Sequence, residues 1–149
     1  MRPYLKKIRI MELFPYESRL ALNLPLFLSS MKAGFPSPAD DYIESKLDFN
    51  EYLVKHPAAT FCVRVVGDSM INAGINSGDM LVVDRAIAPS NNKIVVAILN
   101  GEFTVKRIRK TKNRISLMPE NPIYKPIEIT EETDFQVWGV VTHVIHDAK

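Results

Sequence analysis

The chain has 149 residues, 46% of them apolar and 24% charged, with 19 basic against 17 acidic side chains. These values exclude a wholly disordered chain, a collagen-like repeat and a coiled coil, and no apolar run is long enough for a membrane-spanning helix. The single cysteine, Cys62, excludes an internal disulfide and a multi-cysteine zinc site.

Residues 1–33 carry a net charge of +4, from Arg2, Lys6, Lys7, Arg9, Arg19 and Lys32 against Glu12 and Glu17. The rest of the chain sums to −2, so a basic arm precedes a mildly acidic body. Pro3, Pro15 and Pro25 interrupt the arm, and no long helical period runs through it. The uncharged stretch Leu20–Met31 is too broken by Asn23 and Pro25 for a secretory signal, and acidic residues interrupt the basic region before it. It is expected to be an apolar segment on a flexible arm.

Gly34-Phe-Pro-Ser-Pro38 favours an extended chain. Ala39–Lys46 is expected to form a short helix, started by Asp40 or Asp41, with Tyr42, Ile43 and Leu47 as apolar contacts. From Thr60 onward short strands are expected: 60–66, 80–83, 94–99, 103–108, 114–117 and 135–145. Turn residues separate them, and Asn100-Gly101 between two strand-like runs predicts a tight hairpin. Strands at this spacing without intervening helices predict a mainly β, mostly antiparallel body.

Three groups bear on chemistry. Ser69 follows a strand in the turn Val66-Gly-Asp-Ser-Met70, where neighbouring amides could face an oxyanion. A Gly-Asp-Ser turn also serves simply to bend a chain. His56, His143 and His146 offer a base, yet no spacing marks a triad, and the His-x-x-His pair lacks companions for a metal site. Cys62, between Phe61 and Val63, reads as a buried small hydrophobe. Lys106 shares a strand face with Thr104 and Ile108. Against apolar neighbours it would lose hydration and its pKa would fall, so that it could act as a base. The alternative is a lysine that reaches to water.

Taken together, Gly67-Asp-Ser-Met70, Ala73-Gly-Ile-Asn-Ser-Gly-Asp79, Leu81-Val-Val-Asp84 and Gly101-Glu-Phe-Thr-Val-Lys-Arg107 resemble the self-cleaving UmuD/LexA family, most strongly its UmuD branch. Upstream, Pro25-Leu-Phe27 and Ala33-Gly-Phe-Pro-Ser-Pro38 resemble that family's cleavage region. The likeness runs from about Pro25 to His146. Residues 1–24 depart from it, and Ala33 stands where UmuD proteins often have cysteine.

The resemblance implies a LexA/signal-peptidase-like antiparallel β body with a mobile N-terminal arm. It divides the chain into an arm over 1–33 removed by self-cleavage, a linker with a short helix over 34–59, and a catalytic domain over 60–149. It implies an S24-type serine peptidase with Ser69 as nucleophile, Lys106 as general base, the backbone N–H groups of Ser69 and Met70 as oxyanion donors, and Ala33–Gly34 as the scissile bond. It further implies a cytoplasmic homodimer and no cofactor or metal. Cleavage would be stimulated by a RecA filament on single-stranded DNA, and the product would join a UmuC-type error-prone translesion polymerase. Direct DNA binding through Lys106–Arg114 and a membrane partner are not expected. Two alternatives remain at this point: a LexA- or phage-repressor-like regulator, for which 33 residues offer no DNA-binding module, and a polymerase-binding module that does not cleave.

Overall fold

The computed structural model describes residues 21–27 and 43–148. They fall into two units, the first within 17–55 and the second running from residue 56.

In the first unit, β1 (Asn23–Phe27) pairs antiparallel with β2 (Ile43–Asp48), and α1 (Phe49–Leu53) follows directly. This corrects the helix expected over Ala39–Lys46: residues 43–48 are strand, and helix begins only at Phe49. Residues 39–42 lie outside the described part. The physical reason is a long-range pairing combined with a cap further along. Asp48 Oδ1 accepts the backbone N–H of Asn50, as a helix N-cap does, and also that of Leu22 across the ribbon. The same carboxylate therefore ends the strand pair and starts the helix. Pro25 is tolerated in β1 because, among the described residues, the two-stranded ribbon leaves one edge of each strand without a ladder.

The second unit is a seven-stranded sheet built from β3 (Thr60–Arg64), β4 (Met80–Asp84), β5 (Ile94–Leu99), β6 (Glu102–Thr111), β7 (Arg114–Met118), β8 (Ile127–Ile129) and β9 (Phe135–Ile145). Its order is β3-β4-β9-β5-β6-β7-β8, with every neighbouring pair antiparallel. The mainly β, antiparallel expectation holds. Among the described residues no helix is long and apolar enough to cross a membrane.

The interior strands β4 and β5 are apolar runs because both their faces are covered. Along β5, Val96 and Ile98 pack with Phe61, Leu81, Val83 and Trp138, while Val95 and Ala97 pack with Ile108, Leu117 and Val140 on the other side. The Asn100-Gly101 hairpin forms as expected. Both residues have positive φ, 46° and 89°, which matches the right-handed twist of the strands they join. Gly139 in β9 is needed for space: a Cβ there would stand 2.6 Å from Val83 Cγ1.

Cys62 corrects the expectation of burial. It is exposed, because β3 is an end strand and alternation turns Phe61, not Cys62, into the core. Strand β8, near the other end of the sheet, went unread, since three residues carry too little period.

Candidate active site

Ser69 lies in the connection between β3 and β4, which no strand pairing holds. Gly67 opens it with φ +104°, a backbone that L side chains rarely adopt, and its N–H donates to Ser77 Oγ at 3.1 Å. A single 3-10 turn over Ile71–Ala73 closes it, with Ala73 N–H bonded to Met70 O at 3.0 Å and Gly74 in the left-handed region. The chain thus doubles back on both sides of Ser69 and presents it beside β6. Among the described residues, the backbone N–H groups of Ser69 and Met70 have no acceptor.

Lys106 sits midway along β6, opposite Val95 of β5. Its Nζ lies 3.0 Å from Ser69 Oγ, 2.9 Å from Thr104 Oγ1 and 3.1 Å from the carbonyl of Val105. Thr104 shares its strand face, as alternation requires. The side chain is half-buried, and loss of water pushes its pKa below the ordinary 10.5. Among the described residues no carboxylate pairs with it.

The two side chains open on a cleft of about 460 Å³. Val63, Val65, Val66, Phe103 and Trp138 supply most of its apolar wall. Trp138 meets Phe61 and Phe103 edge-on at centroid distances of 4.8 and 5.3 Å, and the Arg85 guanidinium lies 5.2 Å from its ring centre.

The structure brings Ser69, Met70 and Lys106 together; Ala33 and Gly34 lie outside the described residues. The histidines stand elsewhere. His56 Nδ1 meets Asp84 Oδ2, His146 Nδ1 meets Asp79 Oδ1 at 2.6 Å, and His143 Nδ1 is 3.1 Å from Thr142 Oγ1; none lines the cleft. Both aspartates are buried, and each also accepts a backbone N–H, from Ala86 and Asn76 respectively. These are structural pairs that tie β4 to its flanking turns.

Residues 25–142 match the peptidase S24-like family. The chain belongs to that family. Within and around it, the chain is 49% identical to protein SamA of Salmonella typhimurium over 91% of its own length and 94% of SamA. It is 46% identical to protein ImpA of Escherichia coli over 84% of its length and 85% of ImpA. A LexA repressor, from Photorhabdus laumondii, is 39% identical over 85% of this chain and 63% of the repressor. The S24 match spans both Ser69 and Lys106 and begins at Pro25, where the likeness read from the sequence also begins.

The loop over Pro119–Tyr124 is the part of the site that sequence reasoning missed. Its residues bond the serine connection through backbone groups and through Asn121 and Tyr124. Only the turn-forming run Pro119-Glu-Asn-Pro122 signalled its existence, and nothing there signalled its target.

Proposed function

We propose that the chain is a self-cleaving serine peptidase of the SOS type, which cuts its own Ala33–Gly34 bond with Ser69 and Lys106. The observation that carries this reading is the 3.0 Å approach of Nζ to Oγ at the rim of an apolar cleft that no histidine lines.

In this mechanism neutral Nζ accepts the Ser69 hydroxyl proton as Oγ attacks the carbonyl carbon of Ala33. The N–H groups of Ser69 and Met70 face the developing oxyanion. The resulting ammonium returns the proton to the Gly34 nitrogen, the C–N bond breaks, and an ester of Ser69 with Ala33 remains. Lys106 then takes a proton from water, which attacks the ester and releases the Ala33 carboxylate, and Oγ regains its proton. Partial burial raises the neutral fraction of the amine above that of an exposed lysine at the same pH.

An extended substrate suits the cleft. β3 is an end strand, and Val63 to Val66 line the opening beside it. Pro36 and Pro38 favour an extended chain after the scissile bond. The 35 positions from Gly34 to Ser69 span up to about 115 Å when extended, so reach permits cleavage within a chain or between two.

The family likeness extends the reading. The arm over 1–33 is removed, a RecA filament on single-stranded DNA stimulates the cut, and the shortened cytoplasmic homodimer serves a UmuC-type translesion polymerase. The test is incubation of the purified chain at about pH 10 with fragment masses read out. Cleavage between Ala33 and Gly34, lost in Ser69→Ala and in Lys106→Ala, is expected. Cleavage retained in Lys106→Ala would assign the proton to another base and overturn the dyad. Addition of RecA on single-stranded DNA at neutral pH, and capture of a Y-family polymerase by the cut form, test the two partnerships.

A further inference from the structure

Ser69 is held in place from outside its own loop. Its carbonyl accepts the backbone N–H of Glu120 at 2.8 Å, and the carbonyl of Glu120 accepts the N–H of Asn72 at 2.8 Å. One residue therefore brackets the serine connection on both sides of Met70. Asn121 Nδ2 adds a bond to the Asp68 carbonyl at 2.9 Å, and the Tyr124 hydroxyl donates to Asp68 Oδ1 at 2.6 Å.

The bracket is in turn fixed to the lysine strand. Glu120 Oε1 accepts from Arg107 Nε at 2.5 Å, and Arg107 Nη1 donates to the carbonyl of Asn92 at 2.7 Å. Arg107 is the next residue to Lys106, and on β6 it stands opposite Met118, two positions before Glu120. The guanidinium is thus gripped from two directions, and its side chain and that of Glu120 are only 27% and 31% exposed. An isolated surface pair would be worth little. This one sits in a network in which the Glu120 N–H bonds the carbonyl of Ser69 itself and the neighbouring bonds hold Asp68 and Asn72 on either side.

We propose that the Arg107–Glu120 ion pair is a positioning clamp, which sets the distance between Ser69 Oγ and Lys106 Nζ without touching substrate. This rests on the self-cleavage reading above. Attack geometry is sensitive to small displacements: a shift of about 1 Å costs on the order of a hundredfold in rate. A loosened bracket would also let water reach Nζ. Among the described residues, the groups that bond Nζ are the hydroxyls of Ser69 and Thr104 and the Val105 carbonyl, none of them charged.

Charge reversal tests the clamp, because the backbone bonds of residue 120 do not depend on its side chain. In the full chain, Arg107→Glu and Glu120→Arg are each expected to slow alkaline self-cleavage by about tenfold or more, and the double reversal to recover most of the rate. Glu120→Gln, the milder variant, keeps the side-chain shape if the reversals fold poorly. In it, the Lys106 side chain, followed by NMR of its labelled Cε, is expected to titrate closer to its ordinary value as water reaches the amine, a shift opposite in sign to the fall that the unbalanced Arg107 charge alone would cause. Thermal midpoints measured in parallel separate this from loss of fold, since a purely structural pair would lower the midpoint, leave the rate alone and let the titration fall rather than rise. Single reversals that cleave at the unaltered rate, a double reversal no faster than the slower single, or a titration that fails to rise in Glu120→Gln would each overturn the clamp. The titration requires no cleavage. If the unaltered chain never cuts itself, the self-cleavage reading fails and the NMR result alone decides the clamp.

Discussion

Thr104 Oγ1 lies 2.9 Å from Lys106 Nζ, on the same strand and one turn of the pleat away, so the amine is steadied by a neighbour that β geometry itself supplies. A lysine has four rotatable bonds and loses much side-chain entropy when it is fixed. The hydroxyl, the Val105 carbonyl and Ser69 Oγ together hold the amine in one place.

Replacement of Thr104 by valine keeps the shape and deletes the hydroxyl. The expected result is a self-cleavage rate about five- to tenfold lower, the equivalent of one hydrogen bond worth about 1 kcal/mol. Thr104→Ser should retain most of the rate. Single-turnover cleavage, followed on gels over a pH series, measures both.

The pH profile carries its own expectation. Burial lowers the Lys106 pKa from 10.5, so the neutral amine accumulates as pH rises from neutral, and the rate should climb with it. The midpoint of that climb should fall below 10.5. Tyr124 should not disturb the profile at its lower end, because the hydrogen bond to Asp68 and that carboxylate's charge raise its pKa above 10.0.

Stability should respond to the same group. Between the lowered folded pKa of Lys106 and 10.5, the unfolded chain holds a proton that the folded chain has lost. The unfolded state then binds more protons, so stability gained from this group rises with pH through that window. Comparison with Lys106→Met isolates the effect from other titrating residues. Denaturant midpoints of the two proteins, measured from pH 7 to 10, should converge as pH increases, with Lys106→Met the more stable at the neutral end.

Gly139→Ala probes the packing behind the cleft. The added methyl group would stand 2.6 Å from Val83 Cγ1, and Val83 is fully buried. Overpacking of this kind costs about 1–3 kcal/mol. Urea unfolding should show a lower midpoint with an unchanged slope.

Local chemistry made much of the fold readable. The Asn100-Gly101 hairpin could be read because few residue pairs adopt two successive positive φ values. The runs at 94–99 and 135–145 have the very bounds of β5 and β9, since β-branched residues fill them and turn residues stop them. The misreadings share one cause. Residues 43–48 can satisfy a helical period, but pairing with β1 made them a strand, and Cys62 alternates like a core residue on a strand whose place at the end of the sheet no local pattern reveals.

By itself the sequence determined that a serine follows a glycine turn, that a lysine shares a strand face with a threonine, and that the body between them is β. Each of these follows from backbone preferences and side-chain alternation over a few residues. Only the tertiary structure decided that positions 37 apart meet at 3.0 Å, that no histidine lines the cleft, and that Glu120 brackets the serine. Those relationships depend on strand order and on backbone hydrogen bonds between distant loops, which every residue type can make and no residue type announces.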